Sequence, residues 1–109
     1  MEILNFKDEK LNIIIGRLLP EFLPSKIFLF GSRANGTSTP DSDYDVFLIV
    51  KNSSLSRHER MVKARMALWG CGVSVDVFIY TQSEFDSWKD EFSSIPYTVA
   101  TEGLELRVG

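Results

Sequence analysis

Apolar residues follow two different rhythms along the chain. Between residues 8 and 19, Leu11, Ile14, Ile15, Leu18 and Leu19 recur at spacings of three and four. That spacing lines one face of a helix and predicts one there. Asp8 can cap its start, and Pro20 and Pro24 predict its end. Residues 56 to 68 predict a second helix. Ser56 and Glu59 form a capping box, Met61, Val62, Arg65, Met66 and Leu68 sit at roughly helical spacing, and Arg57, Arg60 and Lys63 face elsewhere. Thr81 with Glu84 makes another capping box and predicts a helix through about Phe92. Ser94, with Pro96 in the first turn, predicts a last short helix ending at Gly103.

The other rhythm belongs to strands. Residues 25 to 30 and 45 to 50 are short apolar runs, as expected of buried strands. Residues 73 to 80 alternate, with Val73, Val75, Val77 and Ile79 on one side and Ser74, Asp76, Phe78 and Tyr80 on the other. Residues 104 to 108 suit a short closing strand. Residues 31 to 42 are rich in Gly, Ser, Thr, Asn, Pro and Asp, which is a loop composition. A helical turn can start at Ser32, but Gly36 and Pro40 prevent a long helix. Gly70 and Gly72 break the chain again. The order α-β-β-α-β-α-α, closed by a strand, predicts an α+β fold: a small mixed β-sheet packed with helices. No repeat, low-complexity tract or linker divides the sequence, so residues 1 to 109 are expected to form one domain.

Composition narrows the function classes. With 44% hydrophobic and 25% charged residues, the chain suits an ordinary globular protein. A net charge of −3 and a pI near 5.1 argue against gripping long nucleic acid, which needs a basic footprint. A nucleotide substrate stays open, because metal ions can neutralise its phosphates. Cys71 is the single cysteine, so no intrachain disulfide can form. The first ten residues lack a signal peptide's basic start and apolar run. No apolar run approaches the roughly 18 residues that span a bilayer. The expectation is a cytoplasmic protein without membrane contact.

Candidate chemistry concentrates in Phe30-Gly31-Ser32-Arg33-Ala34-Asn35-Gly36 and Asp41-Ser42-Asp43-Tyr44-Asp45-Val46. Gly31 and Ser32 directly follow an apolar strand. Glycine lets the backbone turn and approach a ligand, and the N–H groups with the serine hydroxyl suit phosphate oxygens. Taken alone, this pair reads equally as a tight turn. Asp43 and Asp45 are two apart at a strand entrance, so both carboxylates project from one face. Asp45 precedes an apolar run, where an unpaired charge is costly and calls for a partner such as a cation. An isolated Asp-x-Asp also reads as a solvated strand end. Asp76 sits mid-strand among valines, although aspartate is depleted in strands; alone, it reads as an edge residue facing water. If its strand lies beside that of Asp45, the three acids can form one cluster. Three clustered acids repel one another, and make sense as ligands for one or two magnesium ions that clamp a phosphoryl or nucleotidyl transfer.

These residues resemble the nucleotidyltransferase superfamily that includes DNA polymerase beta, and most of all its minimal single-domain members. The shared pattern is a strand, Gly-Ser, a short helix, Ser-Asp-x-Asp entering the next strand, and a later third Asp. Gly31-Ser32, Ser42-Asp43-Tyr44-Asp45 and Val75-Asp76-Val77 match it in order, and the likeness extends to Glu102-Gly103-x-x-Leu106. The resemblance implies that Gly31, Ser32 and Arg33, with Asp43 and Asp45, bind a nucleoside triphosphate, with ATP the expected one. It implies two Mg2+ ions on Asp43 and Asp45, completed by Asp76, which also helps deprotonate the acceptor hydroxyl. Relatives often carry Arg-Gly where this chain has Asn35-Gly36, which removes a cation near the phosphates. Minimal members often pair with a small helical protein of HEPN type as antitoxin and toxin, and can attach AMP to a tyrosine of that toxin. The resemblance implies such a setting here. Two other readings are a partner-binding module without catalysis, and a small-molecule nucleotidyltransferase; the second lacks an acceptor domain unless a homo-oligomer builds one.

Other residues carry less. His58 reads as a solvated surface histidine, and Cys71, between two glycines, as a turn residue. Arg57, Arg60, Lys63 and Arg65 read as a solvated basic face, with an acidic partner or phosphates as the alternative. Trp69, Phe85, Trp88 and Phe92 read as core or partner-facing aromatics.

Overall fold

The computed structural model describes residues 7–107. Helix α1 spans Glu9–Phe22 and buries Leu11, Ile14, Ile15 and Leu18. Asp8 caps it by accepting hydrogen bonds from the N–H groups of Lys10 and Leu11. The helix runs past Pro20, where the sequence predicted its end. Proline forfeits one bond to Gly16, and both residues are exposed, so water can serve that carbonyl. Leu23 then stops the helix with φ 45°.

Strand β1 (Lys26–Phe30) leads through Gly31 into the one-turn helix α2 (Ser32–Asn35). Strand β2 (Tyr44–Val50), helix α3 (Arg57–Ala67), strand β3 (Val75–Thr81), helix α4 (Gln82–Trp88), helix α5 (Ile95–Glu102) and strand β4 (Leu104–Leu106) follow. The expected continuation of β4 to Val108 lies outside the described residues. Helix α4 ends earlier than Phe92 because the chain reverses there. Ser93 adopts φ 71°, and the Ser94 hydroxyl both donates to the Trp88 carbonyl and caps α5.

The sheet order is β3-β2-β1-β4. β1 pairs antiparallel with β2 and β4, while β2 and β3 run parallel through the α3 crossover. Because strand side chains alternate, the sheet has two dressed faces. Helices α1 and α3 cover Ile27, Leu29, Tyr44, Val46, Leu48, Val50, Val77 and Ile79. Helices α4 and α5 cover an aromatic layer in which Phe47 stacks on Tyr80 at 5.0 Å and meets Phe85 edge-on at 5.7 Å. The architecture is the α+β fold with a small mixed sheet that the sequence predicts.

Helix α3 departs from its sequence reading. Its buried residues are Arg60 and Ala64, whereas Val62 and Met66 are exposed. Arg60, read as part of a solvated face, is only 3% exposed. Its guanidinium donates to the carbonyls of Leu55 and Ile79 and forks onto both carboxylate oxygens of Glu84, at 2.8 and 3.1 Å. A buried arginine is tolerable because its donors are so used.

Candidate active site

Chain direction places the acids. Residues with odd numbers on β2 share the α4/α5 face with Phe47 and Ile49, and Asp45 is the first of them. The parallel register sets Asp45 directly beside Asp76, so both side chains leave the same face. Asp43, two residues before Asp45, is exposed, as is Asp76; Asp45 is half-buried. Burial raises the Asp45 pKa above the usual carboxylate range, and the charges of Asp76 and Asp43 raise it further.

Gly31 forms the opposite wall. Phe30 pairs with Asp45 across β1 and β2. A β-carbon at position 31 would run into the Asp45 carboxylate. The backbone there has φ 72° and ψ −154°, a region that glycine alone enters without strain. Glycine therefore both turns the chain into α2 and leaves the acid its space. The Ser32 carbonyl accepts from Thr37 N–H, and the Asn35 side chain accepts from the Thr37 N–H and hydroxyl. Asn35 thus closes the turn.

Arg33 turns away from the acids. Its guanidinium donates to the Ser42 carbonyl at 2.8 Å and lies 4.2 Å from the centre of the Tyr44 ring. Tyr44 belongs to the α1/α3 face, opposite Asp45. The Tyr44 hydroxyl donates to Asp8 at 2.6 Å. Burial pushes the Asp8 carboxyl up, but hydrogen bonds from Tyr44, Leu11 and Lys10, helped by the Arg33 charge, outweigh it and lower its pKa. Sequence reasoning missed this clasp. Its only trace was an aromatic residue between two aspartates, with a helix-capping acid far upstream.

Oxygen donors alone suit a hard divalent cation such as Mg2+. Among the described residues, no three acids already converge into a cage. Asp76 and Asp43, both exposed, act on Asp45 through their field.

A profile of the nucleotidyltransferase domain matches residues 9–103. The chain belongs to this family. Members of the nucleotidyltransferase domain family generally use a divalent metal such as Mg2+. Among curated protein sequences, none matches the chain. Two solved structures share the fold. One is a candidate nucleotidyltransferase from Sulfolobus solfataricus, 23% identical, with a TM-score of 0.58 over 72% of this chain and 70% of the other. The other is a toxin–antitoxin complex with AMP-PNP, 22% identical, with a TM-score of 0.58 over 94% of this chain and 73% of its counterpart. Both likenesses extend the family's fold to the greater part of this chain.

Proposed function

We propose that this domain transfers a nucleoside monophosphate, AMP from ATP, to a hydroxyl of a small helical partner of HEPN type, in a toxin–antitoxin pair. One observation carries the reading: two carboxylates stand in register on adjacent strands, Asp45 with its proton affinity raised, against a glycine that cannot be substituted without striking one of them. The likeness to a toxin–antitoxin complex holding AMP-PNP supports the biological setting.

In this reading Asp43, Asp45 and Asp76 hold Mg2+, which supplies charge neutralisation at the triphosphate. Gly31 and Ser32 hold phosphate oxygens. Asp76, exposed at the rim, accepts the acceptor proton. The acceptor oxygen bonds to the α-phosphorus, the bond to the β-phosphate oxygen breaks, and pyrophosphate leaves. Arg33 serves by holding Ser42 and Tyr44, which fixes the two acids that flank the ring.

The test is to incubate the protein with α-labelled ATP, Mg2+ and its co-encoded helical neighbour. Label should appear on the neighbour and vanish with Asp43→Asn/Asp45→Asn. Tight partner binding with no label under any nucleotide would replace this reading by a binding module.

A further inference from the structure

The sheet leaves one margin of the site undressed. β3 is the edge strand on this side of the sheet. The Ser74 carbonyl accepts from Tyr44 N–H at 3.1 Å, so even-numbered residues of this segment turn their backbone groups toward β2. In a parallel ladder the alternate residues, Val75, Val77, Ile79 and Thr81, then turn theirs outward. The far end of this edge is occupied. Arg60 donates to the Ile79 carbonyl at 2.8 Å, and Glu84 accepts from Thr81 N–H at 2.8 Å. Among the described residues, no turn, loop or side-chain hydrogen bond reaches the backbone of Val75 or Val77. These open groups flank Asp76.

A trough runs beside them. A cavity of about 70 Å3 lies between Ala64 of α3, with its C-cap Leu68, and the start of β3. A second, of about 330 Å3, continues past Ile79 and Tyr80 to Ile95. Met61 and Phe78 line both, so the two form one apolar-floored channel. Two arginines stand on its rim: Arg65 lines the first cavity, into which Asp76 also opens, and Arg57 lines the second beside His58. Apart from Asp76 itself, no acid among the described residues lines either cavity, so this margin is basic in a chain of net charge −3.

We propose that the open edge of β3 at Val75 and Val77, with the basic trough beneath α3, docks an extended acidic segment of the protein that receives the nucleotide. The proposal rests on the transfer reading above. An extended segment supplies the missing ladder partners, as in strand addition. Its acidic side chains meet Arg57 and Arg65, and its hydroxyl residue arrives beside Asp76. A second copy of this chain fits less well, because two-fold pairing of β3 edges would bring two basic α3 rims together.

The test uses the full chain and fluorescein-labelled poly(Glu,Tyr), with poly(Lys,Tyr) for comparison, by anisotropy without nucleotide. Poly(Glu,Tyr) should bind at least tenfold more tightly. Arg57→Glu/Arg65→Glu should weaken that binding at least tenfold. Val75→Pro, which removes one outward N–H, should weaken it at least fivefold while circular dichroism and ATP binding hold. Equal binding of the two copolymers, or wild-type affinity in either variant, overturns the proposal. So does a dimer in sedimentation that Val75→Pro dissolves. A chain that binds the copolymer as expected yet transfers no nucleotide to any acceptor refutes the transfer reading alone.

Discussion

The carboxylate of Asp45 fills the space that a side chain at position 31 would need. The glycine and the acid therefore depend on each other across two strands. A methyl group at 31 has to displace Asp45 and also endure φ 72°. Gly31→Ala should destabilise the fold by about 2–3 kcal/mol and abolish transfer. Chemical denaturation and label transfer measure the two losses; a stable, active Gly31→Ala protein would contradict the geometry.

Burial, and then the fields of Asp76 and Asp43, disfavour the charged form of Asp45 and raise its pKa. Neutralising it relieves repulsion at the cost of the site. Asp45→Asn should be as stable as the wild type or up to about 1 kcal/mol more stable, with no transfer. Mg2+ should raise the melting temperature of the wild type but not that of Asp45→Asn, since an ion stabilises only what it binds. Scanning calorimetry with and without Mg2+ reads both.

Glu84 ties β3, α3 and α4 together. The Arg60 hydrogen bonds lower its pKa from 4.5 to about 2, against the opposing effect of burial, and Thr81 N–H adds to the lowering. A depressed folded pKa stabilises the native state above the unfolded value, and that stability is lost as pH falls from 4.5 toward 2. Unfolding titrations should show a loss over this window that Glu84→Gln largely removes. Glu84→Gln should itself cost about 2 kcal/mol at pH 7. A pH profile identical in variant and wild type would break the linkage.

The Asp8, Tyr44 and Arg33 clasp positions the acids from behind. Tyr44→Phe removes one hydrogen bond to a charged carboxylate and should cost about 1.5 kcal/mol. It should lower kcat more than it raises KM for ATP, because the Tyr44 hydroxyl anchors the segment that carries Asp43 and Asp45. Steady-state kinetics decide this; unchanged kcat would reduce the clasp to a fold contact.

Much of this arrangement was legible in the sequence because local rules and global packing agree. Capping boxes at Ser56 and Thr81 form as written. The alternation from Val75 to Tyr80 matches two real faces, and the parallel register sets Asp76 beside Asp45, an adjacency that the sequence left as a condition. Three readings needed the third dimension. Pro20 was tolerated because its lost bond falls on the solvent side of α1. Arg60 was buried because its partner carbonyl and carboxylate come from β3 and α4, which no helical periodicity can reveal. Arg33 lay next to the Gly31-Ser32 turn in sequence, yet its guanidinium packs on Tyr44, on the face of the sheet opposite Asp45. Exposure of Trp69, at 85%, and Phe92, at 81%, was left open by the sequence and is plain in the structure, while Phe85 joins the core.

The parallel pairing of β2 with β3 has a consequence for synthesis. A ribosome delivers the glycine turn and the first two acids early, but the third only after the crossover helix has emerged. A parallel neighbour cannot fold back as a hairpin, so a nascent chain that stops at α3 carries Gly31, Asp43 and Asp45 without their third acid. The pairing of Asp45 with Asp76 arrives in one late step, when β3 docks, and truncated products never form it.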